Sequence, residues 1–460
     1  MKYNIYNYSR WSELLSHSKY ITFLRYPRSG STRKTGAAKP FGANSASTPP
    51  TRETDERIGY LDGVRGLAAL VVVAAHFAAA FLPALYFGPQ KPTDSTVLLA
   101  LWNSPLYVLW NGAFAVVVFF VLSGFVIARS TQRSATALPV LVATRYLRLT
   151  IPILASVLLA AGLLTVFSGF APRVAEQIGN SWLKLYYPYA RQSLSLAFWE
   201  GLAGWIEARG AWLNPPLWTM IFEFCGSVGI YLSYRLIDRK YVILLLVSFP
   251  LLITVLSGVA WALYLGFPLG ALLFEAWDRG VLRRNAWWGI PLILSGLLIG
   301  GAAAGSTLVW PLIAFGPKDP QSSLAAMITM QSIGASLLLA GVLASARVRH
   351  LLEMRVPAFL GRISFALYLV HFPVLGTLAC FIFASLGFSN GALTLALPVY
   401  VVTTLVLAVL LTKIVDEPTL ALLKIVRRRT RAFGLQRRLS LFPLWPRNPA
   451  LNDQHPVDRG

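Results

Sequence analysis

The chain contains 460 residues, of which 56% are hydrophobic and 13% charged, and its mean hydropathy is +0.59. Soluble globular proteins carry about 25% charged residues, so the composition excludes a water-soluble enzyme and a disordered scaffold. A polytopic membrane protein is the class that fits. The formal net charge of +22 indicates anionic partners, and in a chain this apolar it favours anionic lipid or an anionic substrate over nucleic acid.

Apolar runs of about 20 residues predict an all-α bundle of about ten transmembrane helices. The predicted spans are 63–83, 106–128, 149–168, 217–234, 241–257, 259–277, 286–304, 324–345, 363–387 and 393–415. Residues 1–56 are basic and without apolar periodicity, and are predicted to form a disordered cytosolic arm. Residues 57–418 form the membrane domain, and residues 419–460 a basic cytosolic tail.

The charge of the short loops predicts the orientation of the bundle. With the N-terminus in the cytosol, the loops on that side carry fourteen Lys and Arg residues, whereas the opposite short loops carry two, Lys91 and Lys318. Both termini are then cytosolic. The long aromatic loop 169–216 is predicted on the other side, folded onto the membrane surface.

The first span contains three ionisable residues, Asp62, Arg65 and His76. Eleven residues separate Arg65 from His76, which puts both on nearly the same helix face with His76 about 16 Å deeper. Imidazole is the natural proton acceptor near neutral pH, and ionisable groups inside spans commonly mark function. The structural alternative is that His76 bonds a neighbouring helix and Asp62 pairs with Arg65 at the interface. The alignment of the three groups favours a catalytic role.

Arg145 and Arg148 are predicted at the cytosolic end of the third span, where their spacing puts them on one face. Guanidinium groups bind phosphates in a bidentate manner, and the nearby helix N-terminus would also favour an anion. The alternative is that both residues only anchor the span by the positive-inside rule. For the two arginines in isolation, anchoring is the favoured interpretation.

Three further segments hold polar residues within predicted spans. Ser123 and Gly124 in the second span are typical of helix packing, and a nucleophilic Ser123 is the weaker alternative. Glu223, in the outer half of the fourth span, needs a partner or water and is a functional candidate. His371, one turn after Tyr368 in the ninth span, either bonds across helices or lines an active cavity.

In this order, these residues resemble the acyltransferase 3 family of ten-span membrane O-acyltransferases. The resemblance covers residues 57 to about 418. The motifs that carry it are Leu61-Asp62-Gly63-Val64-Arg65-Gly66 with His76, the pair Arg145 and Arg148, the run Phe119-Phe120-Val121-Leu122-Ser123-Gly124-Phe125, and Tyr368-Leu369-Val370-His371. The sequence departs from the family pattern in Phe224-Cys225-Gly226 after Glu223, and in Phe365, where Tyr is common. The departures concern the fourth-span site and the acceptor.

The resemblance implies transfer of an acyl group, usually acetyl, from acyl-CoA to a hydroxyl of a carbohydrate, glycolipid or secondary metabolite. It implies that His76 is the general base and that Asp62 orients Arg65. Arg65 either grips the donor or stabilises developing negative charge. Acyl-CoA is then a co-substrate, with no bound cofactor and no metal required.

The same resemblance implies a set of substrate contacts: Arg145 and Arg148 on the CoA phosphates, with Glu223, His371 and Tyr368 as further candidates. A different functional class is an alternative, a polytopic transporter of an anionic or lipidic solute with His76 as a proton relay. The absence of matching Gly/Pro-broken spans in the two halves of the sequence weighs against an inverted-repeat transporter. An inactive relative acting as a scaffold is disfavoured because the arginines and His76 are intact.

Overall fold

The structure is a computed structural model that describes residues 58–187, 193–207, 212–256, 259–282, 287–303, 305–306 and 320–440. Within these ranges the chain is helical and contains no β-strand, which confirms the all-α prediction. The predicted arm 1–56, the division between spans at residues 257–258 and the tail beyond residue 440 lie outside the described residues.

Eighteen α-helices are described. They are α1 Gly59–Phe81, α2 Pro83–Phe87, α3 Thr96–Trp102, α4 Gly112–Gln132, α5 Leu138–Phe167, α6 Phe170–Ile178, α7 Leu194–Leu202, α8 Met220–Leu236, α9 Arg239–Leu256, α10 Val259–Tyr264, α11 Gly266–Asp278, α12 Gly289–Gly301, α13 Pro320–Ala344, α14 Ala346–Leu352, α15 Arg355–Val374, α16 Cys380–Ser385, α17 Asn390–Leu411 and α18 Glu417–Ser440. The π-helical segments Leu375–Ala379 and Thr412–Asp416 join α15 to α16 and α17 to α18. Short 3₁₀ helices occupy Pro105–Trp110, Leu183–Leu185, Gly204–Ile206 and Pro215–Thr219.

Six helices among the described residues are long and apolar enough to cross a membrane, as expected for a polytopic bundle. They are Gly59–Phe81, Gly112–Gln132, Leu138–Phe167, Ser322–Ala344, Arg355–Ser385 and Asn390–Thr430. The four other predicted spans coincide with α8, α9, α10 together with α11, and α12. The count of ten spans therefore stays a prediction.

Helices α1 and α15 pack side by side and run in the same direction. Asp62 lies against Gly361 near the start of both helices, and His76 lies against His371 farther along both. Two spans that run in the same direction must have an odd number of spans between them, and seven lie between the predicted first and ninth spans. The arrangement agrees with their predicted places as the first and ninth spans.

Glycines of the first-span motif allow this close contact. A Cβ atom at Gly63 would collide with the carbonyl oxygen of Leu352, and one at Gly66 would collide with the backbone of Gly361. Small residues let the backbones of membrane helices approach closely. Gly66 thus sets the distance between α1 and α15, the two helices that carry the histidines, and Gly63 allows the close approach of α14.

The packing interpretation of the second-span motif is confirmed at Gly124. A Cβ atom there would collide with the backbone of Phe267 in α11, and one at Gly270 of α11 would collide with the backbone of Val121 in α4. The two helices therefore interlock through small residues from both sides.

The prediction that Arg145 and Arg148 lie near a helix N-terminus is wrong. Helix α5 begins at Leu138, with a proline in its first turn, eleven residues before the predicted start of the span at 149. Proline is well tolerated there because its missing N–H would be unpaired in any case. The two arginines are the eighth and eleventh residues of the helix, too far inside for its N-terminal dipole to attract an anion.

The prediction that segment 169–216 folds onto the membrane surface is also wrong. Within it, Gly201 of α7 packs against Leu154 of α5, and the hydroxyl of Tyr146 donates to the carbonyl of Leu202 at 2.7 Å. Tyr146 lies 21 residues before Phe167, the last residue of α5, or about 32 Å along a straight helix. The segment therefore re-enters the bundle alongside α5. Its apolar composition permits this burial, and we call its described parts together with the following short helix, residues 169–187, 193–207 and 212–219, the re-entrant segment.

Candidate functional site

Two histidines from distant parts of the chain face each other inside the bundle. Nε2 of His371 lies 3.2 Å from Nδ1 of His76, and the ring centroids are 4.8 Å apart. Of the two alternatives for His371, the structure shows the bond across helices. We call His76 and His371 the histidine pair.

Backbone carbonyls determine the tautomers of the histidine pair. Nδ1 of His76 lies 2.9 Å from the carbonyl oxygen of Val72, and Nδ1 of His371 lies 2.7 Å from that of Tyr368. A carbonyl only accepts, so both Nδ1 atoms are assigned a hydrogen. The single hydrogen on Nδ1 of His76 is then shared between the carbonyl of Val72 and Nε2 of His371, and Nε2 of His76 keeps a lone pair. Because His371 is fully buried and His76 is partly exposed, His76 is the residue that a substrate can reach.

Aromatic rings from the re-entrant segment and from α15 surround the exposed histidine. The ring centroids of Trp182 and Phe372 lie 6.0 Å and 5.4 Å from that of His76, and Tyr186 packs at 5.1 Å from each of these two rings. The sequence indicates an aromatic loop, but it contains no periodicity that would single out Trp182. The re-entrant segment supplies part of the wall around His76.

Two buried polar side chains fix the re-entrant segment in place. Asn180 donates to the carbonyl of Ala80 at the end of α1, at 2.9 Å. Glu200, whose side chain is fully buried, accepts the backbone N–H groups of Trp212 and Leu213 at 2.9 Å and 3.0 Å. Neither residue stands out in the sequence, because a loop asparagine or glutamate is ordinarily solvated.

The re-entrant segment is also bonded to the helix that carries His371. Asn214 donates to the carbonyl of Leu369 at 2.8 Å. The hydroxyl of Tyr368 donates to the carbonyl of Pro216 at 2.9 Å and contacts Oγ1 of Thr219 at 2.7 Å. Tyr368, a predicted substrate contact, is placed where it holds this segment, and its role toward a substrate stays a prediction.

Arg148 forms a two-pronged ion pair with Asp416 of the π-helical segment Thr412–Asp416. Nη1 contacts Oδ1 of the carboxylate, Nη2 lies 3.2 Å from Oδ2, and the guanidinium lies over the ring of Phe365 at 4.9 Å. Asp416 is a site residue that the sequence does not reveal, since it lies 268 positions from Arg148 at what looks like an ordinary helix end.

Arg145 is held in a second charged network. Its guanidinium pairs with Glu223 and donates from Nε to the hydroxyl of Ser227 at 3.0 Å. Ser123 donates to the same carboxylate oxygen of Glu223 at 2.5 Å. The predicted need of Glu223 for a partner is therefore met by Arg145 and Ser123 together.

Arg65 completes a group of three arginines at one level of the bundle. Its Nη1 lies 3.5 Å from Oδ1 of Asp62, and both Arg65 and Arg145 act electrostatically on Arg148. We call Arg65, Arg145 and Arg148 the arginine cluster. Since Arg65 and His76 are eleven residues apart on the continuous helix α1, their backbone positions are about 16 Å apart along the helix axis. The site thus has a cationic end and a proton acceptor deeper in the bundle.

A family model described as an acyltransferase domain, that of the acyltransferase 3 family, matches residues 58–413. Acyltransferase MdmB of Streptomyces mycarofaciens is 29% identical over 410 residues, with coverage of 80% of this chain and 92% of that relative. No solved structure matches the chain.

Proposed function

The chain belongs to the acyltransferase 3 family, and from this premise we propose that it transfers an acyl group from acyl-CoA to the hydroxyl of an acceptor. The observation that carries the proposal is the histidine pair, in which the partly exposed His76 keeps a lone pair on Nε2 and the buried His371 supports it. Acetyl-CoA is the proposed donor. The proposed acceptor is a carbohydrate, glycolipid or secondary metabolite.

In the proposed reaction, Nε2 of His76 takes the proton of the acceptor hydroxyl as the oxygen attacks the thioester carbonyl carbon. A new C–O bond forms and the C–S bond breaks. The proton held by His76 passes to the departing sulfur. The products are an ester and free CoA, and His76 returns to its neutral form.

His371 acts on His76 rather than on the substrate. When His76 takes the proton, it becomes a cation whose Nδ1–H is already directed at Nε2 of His371. A preorganised acceptor at that position stabilises the imidazolium and keeps the ring in its productive orientation. We therefore describe His371 as a positioning residue.

The arginine cluster is the proposed binding site for the phosphates of the donor. Guanidinium groups match phosphate oxygens in geometry and charge, and the depth of His76 relative to Arg65 leaves room for an extended arm that carries the thioester. At about 16 Å from His76, Arg65 is too far to contact charge that develops on the reacting carbonyl. Of the two predicted roles of Arg65, we propose that it binds the donor.

The transfer proposal is tested with purified protein in lipid nanodiscs and acetyl-CoA labelled in the acetyl group. An acyltransferase moves the label to an acceptor or to water and releases free CoA. A transporter with a proton-relay histidine leaves the thioester intact. An intact thioester in the presence of acceptor-rich membrane extract would contradict the proposal.

A further inference from the structure

Arg148, one of the arginines proposed to bind the donor, is already paired with a carboxylate of the protein itself. Both terminal nitrogens of Arg148 face the two oxygens of Asp416, so the carboxylate occupies the bidentate position that a phosphate would take. The side chain of Asp416 is 7% exposed, and that of Arg148 is 21% exposed. A donor phosphate and this carboxylate cannot occupy one guanidinium fork together.

We propose that Asp416 is an exchangeable counter-ion: it neutralises Arg148 in the empty enzyme and is displaced from it by a phosphate of the donor. The inference rests on the proposed function, because it requires acyl-CoA at the arginine cluster. It assigns Asp416 as a positioning and affinity-setting residue for that donor.

A buried ion pair explains why the chain keeps a carboxylate at a site for anions. A guanidinium removed from water without a partner is costly, so Arg148 needs an anion whenever the donor is absent. Phe365 contributes a ring face to the same guanidinium, and a ring face remains in place whichever anion is bound. Arg148 is thereby held in one position for either ligand.

The backbone around Asp416 is suited to the exchange. Asp416 is the last residue of the π-helical segment Thr412–Asp416, and such segments are frequently found at functional sites. Within this segment the buried hydroxyl of Thr412 has no hydrogen-bond partner among the described residues. A π-helical turn contains one residue more than an α-helical turn. If the segment returned to α-helix, the chain beyond it would rotate by about 100° about the helix axis, and the carboxylate of Asp416 would move away from Arg148.

Charge removal at position 416 tests the exchange. Full-length Asp416→Asn in nanodiscs should bind acetyl-CoA roughly five- to tenfold more tightly than wild type at equal salt, because the competing anion is gone. The matched control is Glu417→Gln, which removes a charge from the next residue, whose partner is the exposed Arg362 on the surface. The control should bind as wild type does.

If the ion pair were purely structural, the substitution would not increase the affinity for acetyl-CoA. Loss of a buried partner would then loosen the site, and Asp416→Asn would bind acetyl-CoA more weakly or with unchanged affinity. Either result in a folded variant overturns the exchange. If wild type itself fails to bind acetyl-CoA, the proposed donor is wrong and the exchange falls with it.

A second measurement is spectroscopic. The infrared difference spectrum of wild-type protein with and without acetyl-CoA should contain a shifted carboxylate stretching band, since a carboxylate leaves a guanidinium. The band should persist in Glu417→Gln and be lost in Asp416→Asn, which separates it from the carboxylates of Asp62 and Glu223 on the other two arginines. A spectrum in which acetyl-CoA binds without any carboxylate change would contradict the exchange.

Discussion

A hydrogen on Nδ1 of His76 makes Nε2 the nitrogen that accepts the proton in the proposed reaction. This assignment follows from Val72 and His371, which both face Nδ1 at hydrogen-bonding distance. Of these two partners only His371 can be changed by substitution, because the other is a backbone carbonyl. The contribution of His371 to the reaction is therefore open to direct test.

Replacement of His371 should slow turnover without weakening donor binding. His371→Phe keeps a ring but removes the acceptor that orients His76, and we expect turnover of acetyl-CoA to fall about 10²-fold, as misplacement of a reacting group typically costs. His371→Gln keeps an acceptor and should retain more activity. The KM for acetyl-CoA should stay unchanged in both. Equal turnover in wild type and His371→Phe would mean that His371 serves packing alone.

At the scale of elements, the contact between α1 and α15 decides whether the histidine pair forms. Gly66 lies on the backbone of α15, so Gly66→Ala forces the two helices apart. We expect a loss of about 1–3 kcal/mol of stability, as overpacked contacts usually cost, together with reduced turnover. The measurement is the thermal midpoint of the detergent-solubilised protein followed by size-exclusion fluorescence.

Gly162 provides the control for this substitution. A Cβ atom at Gly162 of α5 meets nothing within 4 Å, so Gly162→Ala should leave the midpoint unchanged or raise it slightly. The close-contact account would be refuted if Gly66→Ala and Gly162→Ala behaved alike.

The position of the re-entrant segment depends on the hydrogen bonds that Glu200 accepts. Glu200→Ala leaves the N–H groups of Trp212 and Leu213 without their acceptor. Leu213 is buried, and an unpaired buried N–H costs about 1–3 kcal/mol. We expect faster proteolysis within the segment and lower turnover, since the segment supplies Trp182 to the wall around His76. Glu176→Ala, at an exposed position on α6, should digest as wild type does. Identical digestion of both variants would count against the anchoring role of Glu200.

The elements themselves differ in how far the sequence predicts them. Long apolar runs such as α1 and α4 were predictable, because a helix that spans a bilayer needs about 20 predominantly apolar residues. The start of α5 was not, because arginines inside a helix look like those of a cytosolic loop. The re-entrant segment was not either, because its aromatic residues suit an interface and a bundle interior equally well.

Contacts across the whole molecule were the least predictable from sequence. His76 and His371 are 295 positions apart, and Arg148 and Asp416 are 268 positions apart. A single sequence contains the residue types but not the helix neighbours that bring them together. Each of His76, Arg148 and Glu223 could be predicted as a candidate, whereas Asp416, Glu200 and Trp182 became visible through their contacts.

The orientation of the whole molecule is predicted from its loop charges, with both termini in the cytosol. In a Cys225→Ser background, which removes the exposed native thiol, a cysteine at Gln177 should react with an impermeant maleimide only from the far side. A cysteine at Lys424 of α18 should react only from the cytosolic side. Labelling of position 177 from the cytosol would reverse the topology.

The central claim is that His76 is the base of a membrane acyltransferase, and its most direct test is the acetyl-CoA turnover of His76→Ala beside wild type in nanodiscs. Loss of a general base should lower turnover about 10²- to 10⁴-fold. Membrane abundance and acetyl-CoA affinity should stay near wild type, because Arg65 of the arginine cluster lies about 16 Å away along α1. Near-normal turnover by folded His76→Ala would contradict the account.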